Sequence, residues 1–150
     1  VYKRQTLHDL EQVTPKAALE PFAKALEADF EGTLTRMSEA MFQKDGDPTV
    51  KDFVLTQALK ADKTAAVALI RGFADLDLTA CAQEADVPLR CINAAPLPPA
   101  IPSTNLRDNQ KHADYDVQIM QGVGHYLHLE QPEAFNERLE KVIKEFETAS

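Results

Sequence analysis

The sequence predicts an α/β fold in which a long helical region precedes the strands, and three observations carry that expectation. Apolar residues recur at helical spacing from residue 15 to residue 85. From residue 86 the pattern becomes strand, helix, strand, helix. The last of these helices follows its strand through a Gly-Val-Gly-His turn, Gly122 to His125.

The helical region reads as follows. Residues 6–12 are a short polar connection, and Thr14-Pro15 is a helix start, where the missing N–H of proline costs nothing. Leu19, Phe22, Ala23, Leu26 and Phe30 then share one face, with Gly32 as the natural stop. A second helix is expected over residues 33–43, with Leu34, Met37 and Met41 on one side. The Lys-Asp-Gly-Asp-Pro run breaks it, and Asp47 caps a third helix over residues 48–61 that buries Val50, Phe53 and Val54. A fourth, residues 63–75, carries Val67, Ile70 and Phe73 among alanines. The segments differ in length and pattern, so no repeat of fixed period is present.

Residues 87–93 (VPLRCIN) are short and apolar enough for a buried strand, which the proline-rich run behind them ends. A short helix is expected over residues 105–112. Residues 115–120 (YDVQIM) form the second strand, with Tyr115, Val117 and Ile119 on one face. The final helix has Pro132 near its start, Glu133 in its first turn, and Phe135, Leu139, Val142, Ile143 and Phe146 as its apolar stripe. Glu137 with Lys141 and Glu140 with Lys144 add exposed pairs. Two strands cannot make an independent parallel sheet, whose strands need both faces covered and further neighbours. The pattern therefore reads as the end of a larger sheet.

Composition narrows the function classes. The chain has 24 acidic against 16 basic residues, a formal charge of -8, and scattered lysines and arginines without a basic stripe. Nucleic acid and anionic membrane surfaces are poor partners for such a surface. No apolar run reaches the length of a transmembrane helix, and the opening residues lack a signal-peptide pattern. The two cysteines, Cys81 and Cys91, are too few for a disulfide framework, and Cys91 lies in the apolar strand, where a small buried thiol is the plainest reading. A cytoplasmic location is expected.

The turn after the second strand carries the chemistry. Its glycine pair permits backbone angles closed to bulkier residues, so the chain can bend sharply at the strand's carboxyl end, the edge where open α/β sheets place ligands. His125 emerges there, with a side chain suited to moving a proton near neutral pH. For a lone histidine the plainer reading is a ring satisfied by the backbone, and His8, His112 and His128 keep that reading. His128 is close to His125, yet no carboxylate or cysteine stands at metal-ligand spacing, so no metal or other cofactor is expected.

Taken together, Gly124-His125 followed by Glu130, Pro132 and Phe135 resembles the carboxyl-terminal half of the α/β-hydrolase superfamily. Residues 85–96 look like its seventh strand, and residues 115–146 like its eighth strand, histidine loop and last helix; the likeness runs from Thr6 onward. It implies that residues 6–14 follow a missing sixth strand, that residues 15–85 form the helical cap, and that residues 86–150 complete the core. Residues 1–5 (VYKRQ) resemble the translation of a sequencing-library adapter and are set outside the fold.

The resemblance implies that His125 is a general base, activating a nucleophile or the water that attacks a covalent intermediate. The acid expected after the seventh strand is missing, because the matching residues are Ala94-Ala95-Pro96. Some relatives carry it after the sixth strand, which here falls at or before Gln5 or at Asp9, the candidate acid within the chain; Asp108, in a predicted helix, is a weaker one. No G-x-S-x-G elbow is present, and Ser38, Ser103 and Ser150 lack flanking glycines. The nucleophile and the oxyanion loop are both missing, so the chain alone is expected to be inactive.

The expected parent is a hydrolase of a small ester or related acyl bond, with a small-molecule substrate that has an apolar portion. Tyr126, Leu97, Ile101, Phe22, Met37 and Met41 are candidate lining residues, although each cap residue is more simply explained as helix packing. A haloalkane-dehalogenase-like or carbon–carbon-bond hydrolase would use the same histidine. The alternative of another class is a non-catalytic ligand-binding protein of the same fold, and a self-standing helical partner-binding domain ranks last.

Overall fold

A computed structural model of the chain describes residues 9–11, 15–95 and 106–148. The chain divides into two compact units, Gln12–Asp77 and a second made of Val1–Glu11 with Leu78–Ser150. The division falls at Leu78 rather than at the residue-86 boundary suggested by the change of pattern. Its cause is the helix Leu78–Ala85, whose Ala82 is buried with Leu89, Cys91 and Tyr115 of the strand-bearing unit.

The first unit is helical: α1 (Lys16–Ala28), α2 (Phe30–Ala40), α3 (Pro48–Ala58) and α4 (Lys63–Gly72), closed by a 3-10 turn, Phe73–Asp75. Aspartates start three of these helices. Asp29 accepts from the Gly32 amide at 2.9 Å, Asp47 from Thr49 at 2.7 Å and Asp62 from Ala65 at 2.8 Å. A cap of this kind stabilises a helix by about 0.5–2 kcal/mol. Gly32 is therefore not a stop, as its sequence context suggested. The break falls at Asp29, and Gly32 lies in the first turn of α2, where an added Cβ would sit 2.2 Å from an Asp29 carboxylate oxygen.

Ala23, Leu26, Leu34 and Val67 form the buried centre of this unit, with Phe22, Phe30, Met37 and Ile70 packed against it. Arg71 ties α4 to α1 by forking onto Glu20 at 2.9 Å and Glu27 at 2.7 Å. Two expected core residues lie outside: Phe53 is 53% and Phe73 40% exposed. Phe53 precedes Val54, and consecutive helical residues point about 100° apart, so a narrow contact can bury only one of them. Val54 takes that place.

The second unit contains α5 (Leu78–Ala85), β1 (Leu89–Ala94), α6 (Leu106–Asn109), β2 (Tyr115–Met120), α7 (Leu127–Glu130) and α8 (Pro132–Thr148). Its two strands are parallel and in register from Leu89 opposite Tyr115 to Ala94 opposite Met120. The first strand begins two residues later than its apolar pattern suggested. Pro88 cannot donate to the ladder, and Asp86 takes a left-handed φ of 46°, which turns the chain before pairing starts. Helix α6 is likewise shorter than the expected residues 105–112.

Alternation along β1 serves two cores. Leu89 and Cys91 point into a cluster with Leu10, Ala82 and Tyr115, whereas Ile92 and Ala94 join Met120, Val123, Leu127 and Phe135 on the other face. Both faces of β1 are thus covered, as a parallel strand requires. Strand β2 is buried chiefly at its ends, Tyr115 and Met120, and Ile119, expected on one face with Tyr115 and Val117, is 39% exposed. The polar connection expected before the cap also needs correction. Leu10 is 2% exposed, its N–H donates to Asn109 Oδ1 at 2.8 Å, and its carbonyl accepts from Thr79 Oγ1 at 2.8 Å. No helix of the described residues is long and apolar enough to cross a membrane.

Candidate functional site

Strand β2 ends at Met120, and the chain turns at Gly122, whose φ of 69° is a left-handed conformation that favours glycine. Val123 and Leu127 then enter the core completely, each 0% exposed, beside Met120 and Phe135. His125 stands midway between these two anchors. Burying both on one side leaves the residue between them at the protein surface, and His125 is half-buried. The sequence thus folds into a loop that is fixed at both shoulders and presents one imidazole at the carboxyl end of the strand.

A second fixture comes from the single turn of α7. Glu130 folds back over the loop, and its two carboxylate oxygens each lie 3.0 Å from the Gly124 amide nitrogen. Oε1 also accepts from the Tyr126 amide at 3.3 Å. The amides on both sides of His125 therefore donate to one carboxylate. Charge-assisted bonds of this type are about twice as strong as neutral ones. The ring of Tyr126 meets that of His125 edge to face, with centroids 5.1 Å apart and planes at 72°.

His112 and His128 have plainer surroundings. His128 lies edge to face with Phe135, centroids 5.9 Å apart, and the His112 ring is 2.7 Å from a Glu11 carboxylate oxygen. His8 lies outside the described residues. Among the described residues, no group of three His, Cys, Asp or Glu side chains is placed to hold a metal ion.

For the acid, β1 runs out through Ala94 and Ala95, whose amide donates to Met120 at 2.7 Å, and neither residue carries a carboxylate. Asp9 is half-buried and accepts from the Glu11 amide at 3.0 Å, in the segment that Asn109 and Thr79 tie to the strand-bearing unit. Asp108 is engaged by Lys111. Ser38 is buried within α2, far from the geometry of a nucleophile elbow. Of the candidate lining residues, Tyr126 adjoins His125, Phe22 and Met37 pack against the core of the helical unit, and Met41 follows α2 half-buried. Leu97 and Ile101 lie outside the described residues.

Two features went unread in the sequence. Glu130 belongs to the motif around His125, but spacing alone does not reveal a carboxylate folded back onto the loop. The second is a buried polar cluster around Tyr115, which is 2% exposed and hydrogen-bonded through its side chain to Cys91, Asn109 and Asn93. Burial pushes the Tyr115 phenol and the Cys91 thiol up from their usual ranges, against the partly opposing hydrogen bonds of their neighbours, so both stay protonated.

No protein-family model and no curated protein sequence matches the chain. Solved structures do. A hydrolase from Oleispira antarctica superposes with a TM-score of 0.72 at 12% identity, covering 90% of this chain and 52% of its own. A bromoperoxidase from Bacillus anthracis gives 0.70 at 18% identity, covering 85% and 49%. An esterase from Exiguobacterium antarcticum gives 0.69 at 14% identity, covering 86% and 48%. The chain has the α/β-hydrolase fold in part, and it spans about half the length of the solved structures it matches. At these identities the likeness establishes the fold and not the reaction.

Proposed function

We propose that this chain is the carboxyl-terminal, histidine-bearing part of an α/β hydrolase that cleaves a small ester or related acyl bond. The observation that carries the proposal is the loop at the end of β2. His125 is held between Val123 and Leu127 and flanked by amides bound to Glu130, in a fold shared with an esterase and a hydrolase. In this reading His125 takes the proton of a nucleophile supplied by residues outside the present 150 and returns it to the leaving group. Cap plus last strands contain no elbow for that nucleophile, so these residues alone would not turn over substrate. The acid that orients the ring would also be supplied by residues outside the present 150, since Asp9 adjoins Leu10, which packs beside Leu89 and Tyr115 at the amino ends of both strands, whereas His125 follows the carboxyl end of β2.

A second reading is favoured by one observation. Where the fold commonly carries its acid, this chain has Ala94 and Ala95, which suits a non-catalytic ligand-binding protein. Sequencing the source DNA upstream of the Thr6 codon separates the two. A continuous frame containing a strand, a G-x-S-x-G-type turn and a helix supports the hydrolase. Glycine or alanine at the nucleophile position supports the binding protein, and an Asp there points to halide displacement.

A further inference from the structure

We propose that Glu130 is the positioning residue of His125: its carboxylate sets the backbone on both sides of the imidazole and so fixes where the ring points. The inference rests on the reading of His125 as a general base. The residues that neighbour His125 in sequence, Gly124 and Tyr126, both donate their amides to Glu130, Gly124 to both oxygens at 3.0 Å and Tyr126 to one at 3.3 Å. Glu130 can reach them because the turn of α7 starts at the loop itself: the Leu129 and Glu130 amides donate to the Tyr126 carbonyl at 2.7 and 2.9 Å. That turn is anchored below by Leu127, which is 0% exposed.

The chemistry favours a carboxylate at this position. Loop amides at the end of a strand have no ladder partner, and a buried amide left unsatisfied is destabilising. Gly124 is buried, so its amide needs an acceptor from the protein. A carboxylate offers two oxygens and can serve Gly124 and Tyr126 together; a carboxamide offers one oxygen, and an alanine none. With the amides held, the Cα of His125 has little freedom. The Tyr126 ring meets the imidazole edge to face, with centroids 5.1 Å apart, and so borders it on one side. A base displaced by about 1 Å from its proton loses on the order of a hundredfold in rate.

The test uses the protein encoded by the extended reading frame, with Glu130→Ala and Glu130→Gln variants followed by two readouts. Turnover of p-nitrophenyl butyrate is the first. Expected for Glu130→Ala is a kcat lower by about ten- to a hundredfold with KM within threefold, and for Glu130→Gln a partial recovery, since one acceptor is restored. The second readout needs no activity: in the 15N–1H spectrum the Gly124 and Tyr126 amide protons should shift upfield and exchange faster in Glu130→Ala, and the His125–Tyr126 ring contacts should weaken. If the wild type is inactive but the amides respond, the clamp stands and the reading of the parent as an ester hydrolase falls. Unchanged amide shifts and exchange, or a kcat within twofold of wild type in an active enzyme, would overturn the proposal.

Discussion

Both carboxylate oxygens of Glu130 lie 3.0 Å from the Gly124 amide, closing the loop from Gly124 to Glu130 around His125. The surroundings of the histidine are thereby determined by three separate contributions: the left-handed turn at Gly122, the buried pair Val123 and Leu127, and this carboxylate. Each has a consequence that can be measured.

Gly122 is the position where a side chain should be costly. Its φ of 69° disfavours a Cβ, although no atom lies within 4 Å of where one would stand. Gly122→Ala is expected to destabilise the strand-bearing unit by about 1 kcal/mol through backbone strain alone. Urea unfolding followed by circular dichroism checks this, and an unchanged midpoint would remove the turn from the account.

The polar cluster under β1 should matter for stability. Asn109 is 0% exposed, accepts the Leu10 amide at 2.8 Å and bonds the Tyr115 side chain. Asn109→Ala leaves the buried Leu10 amide without its acceptor, with an expected loss of about 1–3 kcal/mol. Limited proteolysis should then cleave near Leu10 sooner than in the wild type; equal cleavage rates would show that the tether is not held by Asn109.

The two cysteines should differ in reactivity. Cys81 is exposed, whereas Cys91 is buried and its thiol is pushed up chiefly by desolvation. Iodoacetamide at neutral pH should label Cys81 first and Cys91 only on unfolding, since the thiolate is the reactive form. Mass spectrometry of the labelled peptides reads the order, and comparable labelling of the two in the folded protein would contradict it.

The Arg71 fork predicts an acid limb in the stability of the helical unit. Side-chain hydrogen bonds from Arg71 hold the Glu20 and Glu27 carboxyls below their ordinary value of 4.5. A carboxyl with a depressed folded-state value binds its proton less readily folded than unfolded. Its contribution is therefore complete above about pH 4.5 and is lost as pH falls through the folded value. Both carboxylates are partly exposed, so the effect should be modest and reduced by salt. A Glu20→Gln, Glu27→Gln variant should lose less Tm than the wild type between pH 6 and pH 3, and an equal loss would assign the acid limb elsewhere.

Much of this was legible in the sequence wherever one local rule acted alone. Tyr115–Met120 and Pro132–Thr148 form as the strand and helix their patterns suggested, although Ile119, Ile143 and Phe146 on their apolar faces are 39%, 48% and 38% exposed. Gly32 misled because a glycine that ends one helix and one that admits a close carboxylate look alike until Asp29 is seen capping α2. Phe53 misled because periodicity gives a face but not its width. In the candidate site, the position of His125 at the strand end could be read from the glycines and the final helix. The role of Glu130 could not, since it depends on the direction in which a single helical turn returns a side chain.

The most direct test of the central claim is hydrolysis of p-nitrophenyl butyrate by the protein from the extended reading frame, compared with its His125→Ala variant. A general base predicts a loss of about three orders of magnitude or more in kcat/KM with an unchanged unfolding midpoint. Turnover by His125→Ala equal to that of the wild type would contradict the assignment of the histidine.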